Sequence, residues 1–318
     1  MPPGILNTPT RGRDGMSIIF QDDFTSYYGS RSTLMPDGTH KAYPDSNRWA
    51  TSFWPGVDYP TSHGDGTNYL AGNYECQFYS SPFLPWETTL AVADRYDPFT
   101  IHSDGLHIRA DLLTPAQQTA YRVGGFRRFG SGIISTYKKL QVQYGNIKVV
   151  AKVPSQIGTW PAIWLLPVNH SALTEIDMTE VMSWGIHMNQ THTGLIRATT
   201  DTTSYPTNWY NVAKSPSDDF ATYGMVWDAN EISMFYNGVK ICSGPTPASM
   251  HQSMYLMINL AIGGKWVFNE MGVLPIDGTD AVRLSTGADL IQPHLPAEMI
   301  VKEVVVESTT GSTWKIGA

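Results

Sequence analysis

Glu175-Ile176-Asp177-Met178-Thr179-Glu180 sets three carboxylates within six residues of a chain in which only 15% of residues are charged. Paired carboxyl groups are the working parts of glycoside hydrolysis. One attacks the anomeric carbon or activates water and the other protonates the leaving oxygen; a separation of about 5 to 5.5 Å goes with retained configuration. A flat strand alternates its side chains, so Glu175 and Asp177 share a face while Glu180, five positions on from Glu175, points the other way. One extra residue corrects the parity. A β-bulge at Met178 or Thr179 returns Glu180 to the face of the other two, and a concave sheet tilts it toward Glu175. Glu175 is then the expected nucleophile, Glu180 the general acid and later base, and Asp177 a hydrogen-bonding partner that orients the nucleophile. The charge on Glu175 should raise the pKa of Glu180 until the nucleophile is esterified, and three acids this close should titrate as a set. From spacing alone a calcium site or a solvated strand face stays open. Against calcium stands the flanking by Trp160, Trp164 and Trp184, since calcium sites draw on carbonyls and on Asn or Asp in loops.

The elements that must position these acids read as strands. Short β-branched or aromatic runs separated by turn residues recur at 16–20, 74–79, 99–101, 106–110, 132–136, 146–153, 162–166, 176–181, 191–196, 221–227, 232–236, 254–262 and 299–307. Asn237-Gly238 is a favoured hairpin turn, Asp228 to Glu231 another turn, and Thr114 to Ala120 one short helix with Thr114 as cap and Pro115 at its first position. The economical architecture is an all-β sandwich of two antiparallel sheets. Residues 1–16, rich in Pro and Gly, read as a flexible N-terminal arm and 17–318 as a single domain. Residues 25–68 lack periodicity and read as long loops, where binding groups tend to sit.

Composition excludes several partners. A formal net charge of -7 and a pI near 5.7 argue against nucleic acid and anionic membranes, which require clustered Lys and Arg. No run of about 18 apolar residues predicts a membrane-spanning helix, and no apolar stretch at the start predicts a signal peptide. Cys76 and Cys242 allow one bridge or two separate buried thiols, and neither option makes a disulfide framework.

Beyond the acidic hexapeptide, Phe20 to Phe24, Asn73 to Tyr79, Ser131 to Thr136, Tyr144-Gly145, Gly158 to Pro167, Thr222 to Trp227 and Asn259 to Trp266 occur in the order found in glycoside hydrolase family 16, and the chain resembles that family along nearly all of its domain. The resemblance implies a concanavalin-like jelly roll with a concave substrate groove and an endo-acting, retaining β-glycanase that works on extracellular polysaccharide as a monomer without a cofactor. It also implies the bulged branch that includes laminarinases. Thr246 to His251 and Leu295 to Met299 look most like bacterial enzymes that trim exopolysaccharides. Trp160 matches a sugar-stacking position and His192 a position beside the acid/base. Asn73 and Glu75 match a strand lining the donor subsites, and Asn259 and Trp266 the opposite wall. Trp184, just past Glu180, is expected at the cleft border, while Trp164 fits core or cleft equally. Two positions depart from the pattern. Ile133 stands where laminarinases usually carry Arg, which puts plain laminarin in doubt, and Lys302 stands where an Asp often serves a structural calcium, so no calcium is expected. Transglycosylation at the same site, or a polysaccharide-binding module without catalysis, are the alternatives.

Overall fold

Alternation of buried and partly buried residues, as along Ala221–Trp227, gives a strand one face for a core and one nearer water, and two sheets can then close their apolar faces together. The chain does this in a computed structural model that describes residues 10–11, 16–24, 32–34, 40–42, 44–53, 71–81, 90–169, 174–198, 200–273, 281–309 and 311–317. Among these residues, an 11-stranded sheet follows the order Val239–Pro245, Glu231–Tyr236, Ala221–Trp227, Gly145–Lys152, Ala297–Glu307, Gly105–Leu112, Phe129–Ser131 and Gln77–Tyr79, with further strands pairing off this path. An 8-stranded sheet, here the site sheet, follows Asn208–Asn211, Gln190–Ile196, Glu175–Glu180, Thr159–Pro167, Met254–Ile262, Leu140–Gln143 and Thr313–Ile316, with Ile133–Ser135 also paired to Met254–Ile262. Neighbouring strands are antiparallel, except that Gln77–Tyr79 runs parallel to Phe129–Ser131. The architecture is a β-sandwich.

Val149, Tyr223, Met225 and Trp227 from one sheet and Ile163, Leu165, Ile258 and Leu260 from the other are buried in one continuous core. Each such side chain contributes roughly 1.5–3 kcal/mol when removed from water. Met254–Ile262 is buried along its whole length, because its second face is covered as well, by the side chains and loops of the site.

The expected turns are present. Asn237 and Gly238 both have positive φ, 49° and 78°, and close the hairpin in which Tyr236 pairs with Val239. Thr114 caps the helix Pro115–Ala120 in a reciprocal capping box with Gln117. Other features depart from the sequence reading. Within the expected N-terminal arm, Thr10–Arg11 pairs with the Ser17–Asp22 strand, because the open ladder of that strand accepts another segment. Helices form at Lys265–Glu270 and Ala281–Ile291; in the second, Leu284, Gly287, Ala288 and Ile291 make a buried stripe, and a Cβ on Gly287 would lie 2.3 Å from the Phe268 ring. Much of the expected loop region 25–68 lies outside the described residues.

Cys76 and Cys242 are free thiols, Cys76 buried and pushed up to about 12 by desolvation. Lys302 places its Nζ 5.3 Å from the centre of the Phe220 ring. Among the described residues no cluster of three or more His, Cys, Asp or Glu side chains could hold a metal ion, and no helix is long and apolar enough to cross a membrane.

Candidate active site

The register of the acidic strand contains the extra residue that the parity argument requires. Against Thr159–Pro167, Thr179 pairs with Ile163 and Asp177 with Trp164, so Met178 has no partner of its own. Against Gln190–Ile196, Asp177 pairs with Gly194 and Glu180 with His192, so that Met178 and Thr179 together oppose the single residue Thr193. Met178 packs into the core between the sheets. Thr179 also turns inward, where its hydroxyl meets that of Thr191. Glu175, Asp177 and Glu180 thereby share one face, and all three line a pocket with Asn73, Glu75, Trp160, Ala162, Trp164, Asn259 and Ala261.

The bulge separates two environments. Upstream, Asp177 is 5% exposed and hydrogen-bonded to Glu175. Desolvation drives Asp177 well above the ordinary carboxylate value, and the charges of Glu175 and Glu180 add to it, which favours Asp177 as the proton donor in its hydrogen bond with Glu175. Burial also pushes Glu175 up to about 7; the Asp177 hydrogen bond opposes this, and the charges of Glu180 and Glu75 reinforce it. For both Glu175 and Asp177 the main cause of the upward shift is desolvation, with repulsion among the acids second to it.

Downstream, Glu180 meets an indole N–H and an imidazole nitrogen. Trp160 Nε1 donates to Oε1 at 3.1 Å, and His192 Nδ1 lies 3.0 Å from Oε2. Trp160 is only 9% exposed and takes the edge of Trp266 at 5.3 Å and 90°. Its clearest contact is thus with Glu180, not the open stacking surface expected of it. Trp266 itself is partly buried and lies 4.9 Å from the His192 ring.

The remaining polar residues of the pocket form hydrogen-bonded chains of their own. Glu75 is buried, accepting from Asn73 Nδ2 at 3.3 Å and from Gln77 Nε2 at 2.5 Å, and Gln77 Oε1 takes the backbone N–H of Ile262 at 2.7 Å. Trp164 Nε1 donates to Asn259 Oδ1 at 2.7 Å, and Asn259 Nδ2 donates to Tyr79 Oη at 2.8 Å. Trp164 belongs to the pocket floor and to a buried cluster with Phe53, Tyr79, Tyr137 and Tyr255, so both of its expected places hold. Ile133, where the resemblance looks for Arg, lies fully buried in that cluster.

Trp184 does not line the pocket. It is buried against Trp160, Met182 and Val267 and donates to the Thr159 carbonyl at 2.9 Å. Three neighbours were not read from the sequence. Gln77 orients Glu75, and His187 and Trp209 stack at 3.7 Å beside His192 and Trp266. Of the three, Trp209 left a trace, an aromatic pair set between asparagines in Asn208-Trp209-Tyr210-Asn211.

Comparison with known proteins agrees with this geometry. Residues 95–277 match the family described as glycosyl hydrolases family 16. An endo-1,3-1,4-beta-glycanase, ExsH, of Rhizobium meliloti (strain 1021) is 28% identical over 253 residues, covering 79% of this chain and 47% of the relative. A glucan endo-1,3-beta-glucosidase A1 of Niallia circulans is 24% identical over 295 residues, covering 82% of this chain and 36% of its own. The chain thus spans about half the length, or less, of these curated relatives. Among solved structures, the non-specific endo-beta-1,3(4)-glucanase SCLam superposes with a TM-score of 0.62 at 20% identity, covering 95% of this chain and 94% of its own. The laminarinase of Rhodothermus marinus superposes with a TM-score of 0.61 at 20% identity, covering 92% and 97%.

Proposed function

This chain belongs to glycosyl hydrolase family 16, and from that premise we propose that it is an endo-acting, configuration-retaining β-glycanase cutting internal bonds of a β-glucan or an exopolysaccharide. The register at Met178 supports the reading most strongly, since it brings an acid pair and a third, separately held acid to one pocket. In the first step a Glu175 oxygen attacks the anomeric carbon, the glycosidic C–O bond breaks, and the leaving oxygen takes a proton from Glu180. Asp177 holds Glu175 for attack and stabilises its charge by the shared hydrogen bond. Water then attacks the same carbon, Glu180 takes its proton, and the ester bond breaks to release Glu175. Two inversions restore the starting configuration.

The named activities of the relatives, an endo-1,3-1,4-beta-glycanase and a glucan endo-1,3-beta-glucosidase, favour a glucose-rich β-linked substrate. Ile133, standing where laminarinases usually carry Arg, speaks against plain laminarin as the preferred substrate. Action on extracellular polysaccharide, as a monomer, completes the proposal; fractionation and solution mass are its checks.

The test is depolymerisation of laminarin, mixed-linkage glucan, agar, carrageenan and a succinoglycan-like exopolysaccharide, with newly formed anomeric protons followed by NMR. Reducing ends that appear first as β-anomers are expected on at least one glucose-rich member. First appearance as α-anomers rejects retention, and no release from any member rejects the activity.

A further inference from the structure

We propose that Trp209 is a sugar platform on the leaving-group side of the site and that His187 is the positioning residue that holds it there, an inference that rests on the glycanase reading above. Glu180, His192 and Trp209 stand directly opposite one another on three adjacent strands. Two strand spacings place Trp209 about 10 Å from Glu180 across the sheet, roughly the reach of two pyranose units. The enclosing residues Asn73, Glu75, Trp164 and Asn259 lie on the other side of the acids. A polymer that crosses the strands therefore leaves the pocket over His192 and meets Trp209.

The indole is built to be held still. The His187 ring lies flat on it, 3.7 Å between centres and 12° between planes, so that a pyranose can be received only on the opposite face. His187 is itself 6% exposed and fixed from two directions. Its Nε2 lies 2.9 Å from Glu270 Oε2, 83 residues along the chain, and its Nδ1 lies 2.6 Å from Gln190 Oε1. Gln190 in turn donates to Asn211 Oδ1 at 2.9 Å, on the strand that carries Trp209. The edge strand, the turn before Gln190 and the helix carrying Trp266 are thus tied at one imidazole. Trp266, tilted 48° to Trp209 at 5.4 Å, continues the aromatic surface back to Trp160.

A substrate pair separates this role from simple structural support: a β-1,3/1,4-gluco-oligosaccharide, whose leaving group is sugar, and the 4-nitrophenyl glycoside of its glycone half, whose leaving group is not. W209A should lower kcat/KM on the oligosaccharide about tenfold more than on the aryl glycoside, with W209F intermediate. H187A should show part of the same split, H187F should recover most of it through its flat ring, and H187A/W209A should be no worse than W209A. Transfer to added sugar acceptors should fall in the same order. Proportional loss on both substrates in W209A and W209F overturns the platform, and additive losses in the double variant overturn the positioning role. A wild-type protein inert on both substrates overturns the glycanase reading, and this inference with it.

Discussion

Glu175 and Glu180 sit on one strand and one face, yet the bulge between them gives them opposite surroundings. Both are partly buried, but Glu175 is hydrogen-bonded to Asp177 and faces other carboxyl groups, whereas Glu180 receives an indole N–H and faces an imidazole nitrogen. The difference teaches that chemical roles here follow from what each acid is packed against rather than from strand position. On the proposed mechanism, a desolvated carboxyl hydrogen-bonded to Asp177 is aimed as a nucleophile requires. On the same mechanism, Glu180, held by the Trp160 N–H, exchanges its proton with a leaving group and then with water.

The hardest break is at Glu175, the proposed nucleophile. E175Q should lower kcat/KM at least about ten-thousandfold on every substrate, because no other group can form the ester. E180Q should lose about a hundred- to ten-thousandfold on a polysaccharide but much less on an aryl glycoside, whose leaving group departs without a proton. Equal losses on the two substrates in E180Q would erase the distinction between the acids.

D177N sharpens the comparison from within the pair. It keeps an N–H toward Glu175 but no titrating proton, and a loss of about ten- to a hundredfold is expected. The same variant tests stability. Burial raises both carboxyls, so the folded state holds protons that the unfolded chain has released above about pH 4.5. That stability is complete below the unfolded value and is lost as pH rises through about 7, the value to which Glu175 is raised. The wild-type Tm should therefore fall by several degrees between pH 5 and pH 8, and D177N should flatten the slope. A wild-type Tm that rises over this range would mean that both acids are ionised and well solvated.

Much of this division was legible in the sequence. The parity defect between Glu175 and Glu180 specified a bulge, and the structure places it at Met178; Asn237-Gly238 specified its hairpin, and Thr114-Pro115 its helix start. What these share is that the cause is local: a period of two, a positive φ, a capping side chain. Other features rest on partners far along the chain. The helix Ala281–Ile291 carries Thr286 and Gly287, which weaken its own signal, and it is stabilised by packing on Phe268. His187 is fixed by Glu270, and Trp160 turns its N–H to Glu180 twenty residues away. The strand Val239–Pro245 has no buried residue and so shows no alternation to read.

Trp160 supplies the smallest effect and the finest distinction. The resemblance casts it as a sugar-stacking surface, while its burial and its bond to Glu180 cast it as a support for the acid/base. W160F keeps the packed aromatic body against Trp266 and removes only the N–H, leaving His192 as the remaining partner shown for Glu180. If support is the role, kcat/KM should fall about two- to tenfold, the usual worth of one hydrogen bond. The loss should appear in kcat, and it should shrink on aryl glycosides, as for E180Q. A sugar platform behaves differently, because phenylalanine still offers a ring face and any loss would fall on KM for both kinds of substrate. A KM-dominated loss in W160F would move Trp160 out of the Glu180 environment and into the binding surface, and the contrast between the two acids would then rest on His192 alone.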